Sequence, residues 1–384
     1  MGALAAISTH DAAVLLAVVG ARLIIPLFIF RYPLPAILAA MVIDAADQSI
    51  FQQATSLDLT GYQSYDKALD VYYLAIAYTA SMRNWASPFT FQVSAFLWYY
   101  RLIGVAAFEL TQARWLLLVF PNTFEYFFDA IEAIRLRWDP GRLTRRTIVL
   151  IAAGIWIFIK LPQEWWIHIA QLDTTDLIKE QILGVPADTP WGTAFAENPW
   201  VYGVIVILVV VVFLLVRFIR RRLPPGLWAT SFRSDTVNAH LGWLPTGPEP
   251  RRTQVLTWSL AEKVVLVGLT SVIFFTVYPD SEAGAPTVFL VAALTVVVNA
   301  AVAHVGARTG HLPHSALGLF AATFAVNIAS LVLFANLATG AGTPVSIRDV
   351  AFFALLIAVL LTCYERARRH RLRCEGGATL QPAG

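Results

Sequence analysis

The feature that most limits what this chain can become is its succession of apolar runs of about 18 residues or more. At about 1.5 Å per helical residue, such a run crosses most of a hydrocarbon layer roughly 30 Å thick. Inside that layer only helices or a closed barrel satisfy the backbone, and these runs are continuous rather than alternating, so the spans are helical. Only 14% of the 384 residues are charged, whereas a soluble domain carries about a quarter. The sequence therefore predicts an all-α, polytopic integral membrane helical bundle with about 11 transmembrane helices.

In chain order, residues 1–170 form a polar N-terminal six-helix membrane bundle, expected to be the functional half. Arg22 sits inside the first span, and Asp44, Asp47 and Gln48 lie toward the far end of the second. The third carries Asp66, Lys67 and Asp70 at its start and Arg83 at its finish, and the fourth contains Arg101 and ends at Glu109. The fifth is expected over Trp115–Arg137 and the sixth from Thr147 to about Trp166, with Lys160 inside it and Glu164 and His168 beyond Pro162. Residues 171–199 start amphipathic and break at Pro186 and Pro190, which reads as an extracytoplasmic interfacial helix and loop. An apolar span (200–216), a cytoplasmic basic linker (217–257), a four-helix membrane bundle (258–366) and a cytoplasmic basic tail (367–384) complete the expected organisation. No internal repeat is visible, so an inverted-repeat plan has no direct support. The opening MGALAAISTHD lacks the basic n-region of a signal peptide, and the apolar run behind it reads as a span.

Arginine sets the expected orientation. Five arginines fall between Arg135 and Arg146, four between Arg217 and Arg222, and five between Arg366 and Arg373. The positive-inside rule then puts these segments and the C-terminus in the cytoplasm of a cell-membrane protein, and counting back puts the N-terminus outside. The basic residues are juxtamembrane, so the partner is a lipid bilayer and no nucleic acid is expected. Cys363 and Cys374 are the only cysteines, and neither a disulfide framework nor a zinc site is indicated.

Function is expected where ionisable groups enter the apolar spans, because a charge facing lipid costs a few kcal/mol or more (~2.5–3.5 on insertion scales). In Trp115–Arg137, Asn122, Glu125, Asp129 and Glu132 recur at intervals of three, four and three, which aligns them on one helical face. The bland reading is that Glu132, and with it Asp129, pairs with Arg135 and Arg137 near the headgroups. The candidate substrate- or ion-binding set is Asp44, Asp47, Gln48, Asp66, Asp70, Arg101, Asn122, Glu125, Asp129, Lys160, Glu164 and His168. Arg22, Arg101 and Lys160 are the cations that can pair at depth, Arg101 with Asp44 or Glu125. In the C-terminal spans Glu262, Lys263, Asn299, His304 and Asn327 are sparse enough for interhelical packing.

Asp44-x-x-Asp47 with Asp66 and Asp70 resembles the paired aspartates by which membrane prenyl- and phosphotransferases hold Mg²⁺ on a pyrophosphate, although the spacing and flanking residues complete no such motif. His304, His311 and His314 straddle a turn with Gly310 and Pro313 and make no helical metal pair. Three functions remain. The first is a transporter with an outward-facing acidic site for protons, cations or a cationic substrate. The second is a membrane enzyme acting on a lipid-linked or isoprenoid phosphate at the outer leaflet, with Mg²⁺ as its divalent cofactor. The third is a scaffold subunit whose C-terminal spans bind a complex partner or a second copy.

Overall fold

The computed structural model describes residues 8–56, 62–170, 172, 174–248, 257–277, 284–309, 315–339 and 346–378. His311 and His314 lie outside these residues, and with them the histidine group. The described residues form helices and no strand, and nine of the helices are long and apolar enough to cross a membrane.

Helix α1 (Thr9–Ile24) is capped by Ser8, whose hydroxyl accepts from the Asp11 amide, and it tightens into a 3₁₀ stretch over Ile25–Phe30. Helices α2 (Pro33–Ala54), α3 (Tyr62–Asn84) and α4 (Pro88–Thr111) follow, antiparallel in turn, and prolines open α2 and α4 where a missing amide costs nothing. Helix α3 is long enough to span but too polar to be among the nine. It is nevertheless the centre of the bundle, with every residue from Ala68 to Met82 buried. Ala68, Ala75, Ala77, Ala80 and Ser81 keep its surface low, so α1, α2, α4 and α6 (Thr123–Arg135) and the later helices come close.

The expected fifth span is not one helix. It is split into α5 (Trp115–Val119) and α6 at Phe120-Pro121-Asn122. Proline has no amide to donate and drives the residue before it out of the helical region, and Phe120 stands at φ −108°, ψ 63°. The ring of Phe120 occupies the space a side chain at Gly104 would need. By contrast, helix α7 (Arg145–Ile169) runs straight through Pro162, with two π turns at Trp156–Lys160 and Trp165–Ile169.

A short helix from Thr174 and helix α8 (Trp191–Glu197) form a small apolar knot around Leu183, Val185 and Ala194. Helix α9 (Trp200–Arg222) extends six residues past the expected apolar span and buries none of its side chains in the bundle. The segment after it is a strap rather than an open linker, folded across the arginine-rich end. Leu227 and Ser231 donate backbone hydrogen bonds to Arg137 and Leu136, Ser234 to Arg31, and Trp243 Nε1 to the Arg83 carbonyl. Within it α10 (Ser234–His240) presents Asn238 to Arg135.

The last helices are α11 (Trp258–Phe275), α12 (Ala285–Thr309), α13 (Ala316–Thr339) and α14 (Ile347–Ala378). The expected tail is helical as far as Ala378, and its Arg371 lies over the rings of Phe91 (4.3 Å) and Trp243 (5.8 Å). Asn299 donates to Asn327 (2.7 Å), and Asn327 to the Ala354 carbonyl (3.0 Å), so the asparagines tie α12, α13 and α14 together.

Candidate functional site

The aspartates of α2 and α3 meet around a single arginine. Asp44 and Asp47 are three residues apart and Asp66 and Asp70 four, so each pair shares a helical face. Arg22 of α1 reaches between them. Its Nη1 donates to Asp47 and, at 3.3 Å, to Asp66, while its Nη2 donates to Asp44 and, at 3.1 Å, to Asp70. Tyr62 donates to the other oxygen of Asp47, and Lys67 closes the rim on Asp66 (2.9 Å) and Asp70 (3.4 Å). Asp47 is fully buried, whereas the Asp44 side chain keeps 27% of its exposure and Asp66 19%, so the cage is open on that side. Four carboxylates here share two cations. Gln48 is exposed and makes no hydrogen bond to the aspartates of the cage.

A second centre forms at the break between α5 and α6. The severed helix leaves carbonyls on one side and amides on the other, and in an apolar medium each needs a partner. Arg101 Nη1 donates to the Phe120 carbonyl (3.0 Å), and Glu164 Oε1 accepts from the Asn122 amide (3.2 Å). Arg101 thus serves the broken backbone and lies within electrostatic reach of Glu164, not paired with Asp44 or Glu125 as expected. His168 Nε2 meets Glu164 at 3.1 Å. Asn122 Nδ2 (2.9 Å), Lys160 Nζ (3.3 Å) and the Tyr73 hydroxyl all donate to Glu125.

Lys160, Glu164 and His168 stay on one face because of the π turns. On a regular helix residues four apart drift by about 40° per step. Wider turns, closed by Leu161 N–H to Trp156 and Ala170 N–H to Trp165, absorb part of that drift where Lys160 and His168 need it.

The two centres are joined by Tyr73, which hydrogen-bonds Glu125 and lies in electrostatic contact with Asp70 and Asp44. Below Glu125 on the same stripe come Asp129 and Glu132. Glu132 pairs with Arg135 (2.6 Å) and accepts from Trp85 Nε1 (2.7 Å), as the headgroup reading of that residue expects. Asp129 does not follow that reading, since neither Arg135 nor Arg137 reaches it: among the described residues it has no ion pair, and its buried Oδ1 has no hydrogen-bond partner. Arg135 in turn donates to Asn238 of the strap (2.7 Å), beside a cavity of about 10 Å³ lined by Glu132, Arg135, Ser234 and Val237. The file of polar groups accompanies α3 from Asp66 to Trp85, or about 28 Å at helical rise.

Sequence reasoning thus selected most of these carboxylates but omitted Lys67, Tyr62, Tyr73, Trp85 and Asn238 from the candidate set, and left Arg22 outside it as a mere counter-ion. A signal for two of them exists. Tyr62, Asp66, Asp70 and Tyr73 recur at four, four and three, a single stripe on α3. No family model, curated protein or solved structure matches the chain.

Proposed function

We propose that the protein is a membrane carrier of protons or small cations, with the Arg22 cage as its outer mouth and the Glu125–Lys160 centre at mid-depth. The observation that carries this reading is the file of buried ionisable groups reaching from one end of the bundle to the other, past an interrupted helix. Apolar side chains would hold a bundle together at least as well as most buried ion pairs do. A helix broken at depth, with its free ends turned toward charged side chains, is the arrangement transporters use to handle charge. With the arginine-rich end in the cytoplasm, the partly exposed cage faces outward, and its excess of carboxylates attracts positive cargo. Glu132, Arg135 and the strap then close the inner end.

The test is flux in proteoliposomes, read for H⁺ with a trapped pH dye under an imposed diffusion potential and for Na⁺, K⁺ and Mg²⁺ with trapped dyes selective for each ion under its own gradient. Wild-type protein should carry at least one of these ions well above empty liposomes, and Glu125→Gln should lower the rate at least tenfold without changing the elution profile of the purified protein. Rates equal to empty liposomes for H⁺, Na⁺, K⁺ and Mg²⁺ would end the proposal.

One observation favours the enzyme as a second reading. Carboxylate oxygens of Asp44, Asp66 and Asp70 lie within 4.8 Å of one another. Oxygens across Mg²⁺ stand about 4.0–4.2 Å apart and across Ca²⁺ about 4.6–5.2 Å, so the trio is close enough for a divalent cation of either size. Arg22 already fills the space between them, and a metal would have to displace it. The carrier reading needs no such rearrangement.

A further inference from the structure

The ion pairs around the broken helix leave one carboxylate out, His168 being held by Glu164 (3.1 Å). Glu125, Asp129, Glu132 and Glu164 face Arg101, Lys160 and Arg135. Arg135 is taken by Glu132 (2.6 Å), Arg101 by the Phe120 carbonyl and Glu164, and Lys160 by Glu125. The carboxylate left over is Asp129. Its neighbour one turn away, Glu125, accepts from three donors, while the buried Oδ1 of Asp129 accepts from none. On the same stripe the Oδ1 of Asn122, a residue only 6% exposed, is also without a donor. The groups in electrostatic contact with Asp129 are Glu125 and Glu132 on its own helix and Lys160 on α7, with Tyr126 beside it. Of the other helices packed on α6, α3 offers Tyr73 and α4 offers Arg101, both engaged at Glu125 and Glu164, and the acids of α2 are held by Arg22.

Asp129 is half-buried, with its inner oxygen unpartnered and two carboxylates beside it, and a proton relieves a charge so placed most simply, because it neutralises the carboxylate and supplies a donor. We propose that Asp129 is the protonation site of the file, a carboxyl group that takes up and releases one H⁺. The proton arrives from hydronium, an O–H bond forms on Asp129 Oδ1, and neutral water leaves. When the proton departs, the carboxylate competes with Glu125 for the ammonium of Lys160, which lies 3.9 Å from the centre of the Tyr126 ring. Lys160 stands at a π turn, a geometry frequent at functional sites. This inference rests on the carrier reading for its meaning, and it makes the proton the transported or coupling ion.

Infrared difference spectra of the full chain in bilayers, taken between acid and alkaline buffer, test it directly. Wild type should show a protonated-carboxyl C=O band that vanishes at high pH, is absent in Asp129→Asn and returns, shifted, in Asp129→Glu. Glu125→Gln frees Lys160 for Asp129, so the band should persist only at pH values at least one unit lower than in wild type. Labelling with dicyclohexylcarbodiimide, which attacks protonated buried carboxyls, should mark Asp129 and fall at least fivefold in Glu125→Gln. A wild-type band that survives Asp129→Asn, or a titration unmoved by Glu125→Gln, overturns the assignment. Liposomes without any flux, but with the band intact, would instead remove the carrier reading and leave the protonation site standing.

Discussion

The first six spans and the last four meet the same demand, that polar groups within an apolar slab find partners, and they meet it in opposite ways. In the C-terminal helices the ionisable groups are few and paired one to one. Asn299 and Asn327 bond each other and Lys263 pairs with Glu365 (2.6 Å), while Glu262 is neutralised by no cation among the described residues and accepts from Tyr364 (2.5 Å) and, across to the N-terminal helices, from Tyr78 and Tyr99 (3.4 Å). In the N-terminal helices the charges are shared, with four aspartates on one guanidinium, a helix cut open at Pro121, and Asp129 and Glu109 each keeping a buried oxygen without a partner among the described residues. Local service holds helices together. Sharing keeps groups close to a change of partner, which is what moving a charge requires.

Four substitutions at three positions measure that contrast, read as thermal stability of the purified protein in detergent. Arg22→Ala should have the largest effect, because it leaves Asp44, Asp47, Asp66 and Asp70 with Lys67 alone; breaking a buried ion pair costs about 3–5 kcal/mol, and we expect loss of monodisperse protein. Arg22→Lys, which keeps the charge and loses the planar fork, should recover part of it. Gly104→Ala places a methyl group where the Phe120 ring stands, and such overpacking should cost about 1–3 kcal/mol. Asn327→Ala should be the mildest, at about 0.6 kcal/mol for an interhelical hydrogen bond in a membrane. If Asn327→Ala proves as damaging as Arg22→Ala, the distinction between the two halves is lost.

The all-helical bundle was legible because long apolar runs leave few alternatives, and the carboxylates of the site were legible because charge is conspicuous against them. What escaped was of two kinds. Helix α3 is central although, long enough to span, it holds no stretch apolar enough to count as a membrane span, since its alanines and tyrosines matter for how closely neighbours approach rather than for partition into lipid. The break at Pro121 was visible in Phe-Pro-Asn-Thr, a stop followed by capping residues, yet the apolar length of Trp115–Arg137 outweighed it, and Pro162, which breaks nothing, shows why a proline alone does not decide. Partner choice was the least legible. That Arg101 serves the Phe120 carbonyl follows from the break, and spacing along separate helices could not reveal it.

The strap across the arginine-rich end also sets a timetable for biogenesis. Arg135 finds its partner Asn238 only 103 residues later in the chain, which is about 5–20 s of translation. Through that interval the arginine-rich ends of the early helices lack the strap that later bonds Arg135, Leu136 and Arg137, and their buried charges have no lid. Whatever shelters those charges as the nascent chain emerges does so before the molecule can shelter them itself.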